Sequence, residues 1–257
     1  MLCSPIPRPE RLIDGTRMTD SFTPSRHRIF RAALLAIVLS DIALVLLGLA
    51  LYPKVLRQGG LLGAGAAISM VALYGFLALY SPLRFGNVDN RLWKPGVKLG
   101  TVGGLVLGLD LLSNYFIYRD GPTNSKISLV IYGFYLLLLL GAAARGGYIT
   151  RKIKEGLIVT LWYVFIAQLI WFFIEFGAYY LFSRTPIGVK FIQTEMQEDF
   201  RRSGEQDFQT FVIGDFFGAG FFHLLLIGLV AALIFGSIGA LTGKIVAVLS
   251  KGSRSSN

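Results

Sequence analysis

Glu175 is the residue whose presence most needs a chemical reason. It is the only formally charged side chain between Gly156 and Phe182, a run (GLIVTLWYVFIAQLIWFFIEFGAYYLF) without lysine, arginine or histidine. A helix of that length and composition crosses the ~30 Å hydrocarbon core of a bilayer. A carboxylate at its centre costs roughly 2.5–3.5 kcal/mol on insertion scales. At helical spacing Gln168, Trp171, Glu175 and Tyr179 share one stripe, so the polar groups can be satisfied only if that stripe faces other helices. Gln168 and Tyr179 then support Glu175.

Three further groups have the same character. Asp110 lies in an apolar run with Ser113 and Asn114 one turn on, Asp41 lies in the first apolar run, and His223 in the last. Counted from the outer helix ends, Glu175 and Asp110 lie ~10 Å deep and Asp41 and His223 ~16 Å deep. Asp215 falls nearer the surface, and no lysine or arginine is expected at the depth of the others. Carboxylates around a water-filled vestibule bind a cation or exchange a proton, and a histidine passes protons near neutral pH. The structural alternative is that each acid is protonated and hydrogen-bonds a neighbouring helix, with His223 a packing residue.

The elements that must hold these groups follow from the hydrophobic pattern. The 257-residue chain is 54% hydrophobic and 16% charged, with a mean hydropathy of +0.61, whereas a soluble domain carries about 25% charged residues. The sequence predicts an all-α integral membrane protein, a bundle of six transmembrane helices over about 32–52, 60–80, 97–118, 128–149, 156–182 and 212–242. Residues 1–31 read as a disordered basic tail, 32–250 as the membrane domain and 251–257 as a second tail. The stretch 32–52 is too long for a signal core and reads as a retained helix; initiation at Met18 instead of Met1 leaves the scheme unchanged. The last apolar tract is kept as one helix, because splitting it puts Lys251 and Arg254 outside.

Seventeen lysines and arginines fall on the side of the chain termini and eight on the other. The positive-inside rule therefore places both termini in the cytoplasm, in a bacterial inner (plasma) membrane. The external loop 183–211 carries Ile187, Phe191, Met196 and Phe200 on one face, which predicts a short amphipathic helix on the outer surface. Ser203 and Gln206 have the spacing of a capping box for the last helix. Gly100, Gly104 and Gly108, spaced by four, form a smooth flank for close helix packing.

The net charge of +10 sits in loops between apolar runs as membrane anchors, so no nucleic-acid partner is expected. No GxxxxGK, HExxH, GxSxG or Cys/His cluster occurs, so no catalytic residue, metal or cofactor is assigned. Two readings from different classes remain. One is a permease-like transport protein moving a cation, proton or small cationic solute through an outward-facing carboxylate-lined cavity. The other is a non-catalytic structural or assembly subunit, docking a membrane partner or a second copy through its glycine faces. A lipid-active enzyme using Asp110 or Glu175 as acid or base is a third and weaker reading.

Overall fold

The computed structural model describes residues 24–56, 60–84, 90–117 and 119–252, and all its regular elements are helical. They are α1 (Pro24–Leu51), a short 3₁₀ turn (Pro53–Leu56), α2 (Gly60–Arg84), α3 (Asn90–Ser113), α4 (Gly121–Thr150), α5 (Ile153–Phe182), α6 (Pro186–Ser203), α7 (Phe208–Phe222), a π-helical segment (His223–Val230) and α8 (Ala231–Gly252). Six stretches are long and apolar enough to cross a membrane, the last running unbroken from Phe208 to Lys251 through the π segment. This architecture is compatible with a polytopic membrane protein.

Some boundaries differ from the sequence reading. α1 begins at Pro24 and α3 at Asn90, because a helix continues past the apolar run that identifies it, in α3 even through Pro95. Residues 1–23 and 253–257, read as tails, lie outside the described residues. The capping box at Ser203 does not form. Gly204, at φ 72°, ends α6 in the left-handed conformation that glycine adopts freely. Asp207 instead caps α7, its carboxylate accepting from the backbone amides of Gln209 and Thr210, both at 3.1 Å. At the other end of α6, Thr185 accepts from the amide of Gly188 at 3.1 Å, with Pro186 opening the helix.

α5 is the hub. Some 67% of its most apolar window is buried, against 22–39% in the other five spans, and it packs on α1, α2, α3, α4, α8 and the π segment. Its most extensive neighbour is α3. There Gly100 lies on the backbone of Tyr163, Gly104 on that of Ala167, and Gly108 on the side chain of Ile174. α4 and α8 meet in the same way, Gly239 against Leu140, Gly243 against Ala144 and Gly147 against Ala240. Without side chains between them, backbones approach closely, which is how helices associate when lipid supplies no hydrophobic drive.

α7 is held differently. Phe176 and Tyr179 of α5 meet Phe216 and Phe217 of α7 ring to ring, Tyr179 on Phe216 at 4.9 Å and Phe176 on Phe217 at 5.8 Å between centroids, and Phe172 lies against Gly220. The apolar face of α6 lies on the same end of the bundle. Phe191 packs edge-on to Tyr115 at 5.3 Å, and Phe200 sits 5.1 Å from Phe208 and 5.6 Å from Phe211.

Candidate functional site

Asp110 is not a bare acid. Arg119 folds back from the turn after α3 and places Nη1 3.0 Å from its Oδ1, with both side chains mostly buried. The same guanidinium donates to Ser113 Oγ at 2.7 Å and to Asn114 Oδ1 at 3.4 Å, and Ser128 of α4 donates to Asp110 Oδ2 at 3.3 Å. This corrects the expectation that no basic residue reaches the buried acids. The chain turns at Asn114 directly after α3, so Arg119 passes back over the last carbonyls, where a cation also opposes the helix dipole. Counted as a loop residue, Arg119 gave no sign of this in the sequence.

Glu175 is buried, and its Oε2 finds no hydrogen-bond partner among the described residues. Around it stand Tyr115 and Tyr132, both within its electrostatic reach, and Asp215 of α7. The hydroxyl of Tyr115 is also buried without a partner. One turn away on α5, Trp171 stacks face to face on His223, with centroids 3.5 Å apart and planes at 11°. Tyr132 Oη lies 3.5 Å from His223 Nδ1, while Nε2 is buried and has no partner among the described residues. Tyr132 therefore contacts His223 and lies within electrostatic reach of Glu175 and Asp110, three of the four groups singled out from the sequence.

His223 also opens the π segment, and a polar core gathers along it. Tyr74 donates to the carbonyl of Leu224 at 2.5 Å, Tyr135 to that of Ile227 at 3.5 Å, and Gln168 Nε2 to Tyr135 Oη at 3.0 Å. Tyr163 donates to the carbonyl of Tyr135 at 2.9 Å. Gly228 leaves room for Tyr74 and Gln168 to approach. A π turn shifts the backbone out of α register and presents carbonyls to side chains. Gln168 thus serves this network rather than Glu175. Tyr74, Tyr135 and Tyr163 went unnoticed in the sequence, since a tyrosine in an apolar run reads first as bulk. Tyr179 points away, donating to Gln209 Oε1 at 3.2 Å.

Asp41 stands apart. It is fully buried, and neither carboxylate oxygen has a partner among the described residues. Its stripe on α1 (Leu34, Val38, Asp41, Val45) meets α2 where Val38 fills the space beside Gly75, and α5 where Tyr180 donates to the carbonyl of Leu44 at 2.9 Å.

Between α2 and α7, at the end capped by α6, lies a cleft of about 440 Å³. Asp215, Thr210, Phe211 and Phe221 line it from α7, Leu62 and Ala66 from α2, and Ser203 and Glu205 close it. None of Glu175, Asp110, Asp41 or His223 lines it. Among the described residues Asp215 connects the two places, lining the cleft and lying in electrostatic reach of Glu175. Among the described residues no group of three His, Cys, Asp or Glu is placed to hold a metal ion. No family model matches the chain, and no curated protein or solved structure is significantly similar to it.

Proposed function

We propose that the protein is a permease of a bacterial inner membrane, with both termini cytoplasmic, moving a cation or small cationic solute in exchange with protons. Asp215 meets the solute in the cleft, and Glu175 behind it carries the proton. The observation that carries this reading is the placement of two acids that have no basic partner among the described residues. One lines an open cleft, the other is buried within its electrostatic reach, and the third candidate, Asp110, is occupied by Arg119. A cation on Asp215 and a proton on Glu175 then answer to the same local negative charge, which links their occupancies. The Tyr132–His223 pair offers the proton its next stop.

The alternative, a structural or assembly subunit, docks a neighbour through glycine faces, and a Cβ at Gly65, Gly133 or Gly141 would meet nothing within 4 Å. Gly100, Gly104 and Gly108 are covered by α5, and Gly239 and Gly243 by α4, so these glycines are occupied within the chain itself.

Replacing Glu175 with glutamine tests the proposal, because the shape stays and the titrating group goes. In reconstituted vesicles, a cation gradient is expected to drive proton movement with the parent protein. Glu175→Gln should abolish it while leaving the detergent-solubilised protein monodisperse. Undiminished proton movement in the glutamine variant removes Glu175 from the mechanism, and a silent parent across a range of cations removes the permease.

A further inference from the structure

We infer that the α2–α7 cleft binds an amphipathic organic cation, an ammonium carried on an aromatic or alkyl body, with Asp215 as its counter-charge. The inference rests on the permease reading in taking the cleft as the place where solute is met, and it names the solute's class. At about 440 Å³ the cleft falls within the roughly 300–1,000 Å³ of small-molecule sites.

Its walls divide by chemistry. Phe211, Phe221, Phe222 and Leu62 supply an aromatic and aliphatic surface, and Asp215 and Glu205 supply negative charge; among the described residues no lysine, arginine or histidine lines it. Lys54, near the rim residue Val55, is engaged with Asp207 at 3.0 Å. Asp215 sits about two turns into α7, roughly 10 Å along the axis from its start, and no described cation pairs with it. A carboxylate at that position in an apolar span asks for a positive partner.

Each competing class leaves part of this lining unused. A hard divalent ion wants about six oxygen ligands or more, and this surface is mainly carbon. A neutral apolar ligand leaves the carboxylate unanswered, and an anion meets two acids. An ammonium on an apolar body satisfies the carboxylate, lies against ring faces that attract cations, and covers the carbon surface.

The glycines of the cleft provide a clean way to close it. A side chain at Gly218 starts in open space, with nothing within 4 Å of its Cβ, and Gly218 lines the cleft. Gly218→Leu therefore fills the cleft from its wall without wedging helices apart.

The experiment is equilibrium binding of benzyltrimethylammonium to detergent-solubilised protein by calorimetry, beside its neutral carbon isostere neopentylbenzene. The parent is expected to bind the ammonium at least tenfold more tightly than the isostere. Asp215→Asn should lower ammonium affinity at least tenfold and leave the isostere unchanged. Gly218→Leu should remove ammonium binding while keeping the parent's melting temperature within a few degrees, which holds the test open if the asparagine variant folds poorly. Equal affinity for the two probes, no binding by the parent at millimolar concentration, or binding that survives both cleft substitutions overturns the inference. Flux without cleft binding sinks this inference and spares the permease; binding without flux does the reverse.

Discussion

The α3–α5 contact and the α5–α7 contact use the same central helix in opposite ways. Against α3, α5 meets glycines at 100, 104 and 108, so backbone lies on backbone. Against α7 it presents Phe172, Phe176 and Tyr179, and rings hold the helices apart at centroid separations of 4.9–6.1 Å. Close backbone packing leaves no volume and little freedom. Ring-spaced packing leaves gaps at its edges, and the 440 Å³ cleft opens on the far flank of α7, where α2 brings Gly60 and Gly63 to its lining. The last span belongs to both regimes, since α8 is glycine-packed on α4 while α7 is ring-packed, and the π segment joins them. On the permease reading, holding a scaffold still while admitting a solute calls for both kinds of contact.

The comparison breaks most severely at Gly104. A Cβ there would lie 2.5 Å from the carbonyl oxygen of Ala167 and 2.9 Å from its Cα, and a backbone cannot step aside as a side chain can. Gly104→Leu is expected to cost at least about 3 kcal/mol, the upper end of overpacking, and to lose most of the folded yield. Gly141→Leu on α4, where a Cβ meets nothing within 4 Å, should melt like the parent. Similar melting temperatures for the two variants, read by size-exclusion stability, would show that the glycine contact is not what makes this half rigid.

That packing was readable in advance because glycines four apart on an apolar helix have few other uses. The six spans were readable for a similar reason, as bilayer thickness sets a minimum run of apolar residues. What stayed hidden were the contacts made by long side chains leaving their own element. Arg119 belongs by position to a loop and by contact to Asp110 nine residues back. Tyr74 and Tyr135 come from two helices to carbonyls of the π segment, and Gln168 reaches the Tyr135 hydroxyl from a third. No periodicity in a single helix records such a meeting. The cleft was hidden too, since it is defined by what does not fill the space between α2 and α7.

Arg119 sharpens the comparison from the rigid side. It locks the end of α3 to α4 through Asp110 and Ser128, so the glycine-packed half is also pinned by charge. Arg119→Gln leaves Asp110 mostly buried without its counter-charge and should cost about 2–3 kcal/mol, below the 3–5 of fully buried pairs because both groups keep some exposure. Adding Asp110→Asn should recover more than half of that loss. A thermal-melt double-mutant cycle reads the coupling. Additive losses would show that the ion pair contributes nothing beyond its two members, and would return Asp110 to the set of acids free for function.

The smallest effect belongs to the cleft side, at the cap of α7. Lys54 hydrogen-bonds Asp207 and, with the amides of Thr210 and Gln209, holds its carboxyl below the usual carboxylate range. A depressed folded value means the folded state binds its proton later than the unfolded chain does. The contribution is therefore present above the unfolded value near ~3.9 and is lost as pH falls through the lower folded one. With Lys54 largely solvent-exposed and Asp207 partly so, salt screens the ion pair, so most of what remains is the cap, worth about 1 kcal/mol. Acidification below pH 4 should loosen the first turn of α7 before the bundle melts, seen as faster amide exchange at Gln209 and Thr210. Asp207→Asn keeps a capping oxygen but no titrating group, and should make that exchange insensitive to pH once corrected for intrinsic rates. Because α7 is held to α5 by rings and not by backbone contact, the loosening should spread to Phe211 and the cleft wall. If it stays confined to the cap, α7 is held as firmly as α3, and the division of the molecule into a fixed and a yielding half is wrong at this end.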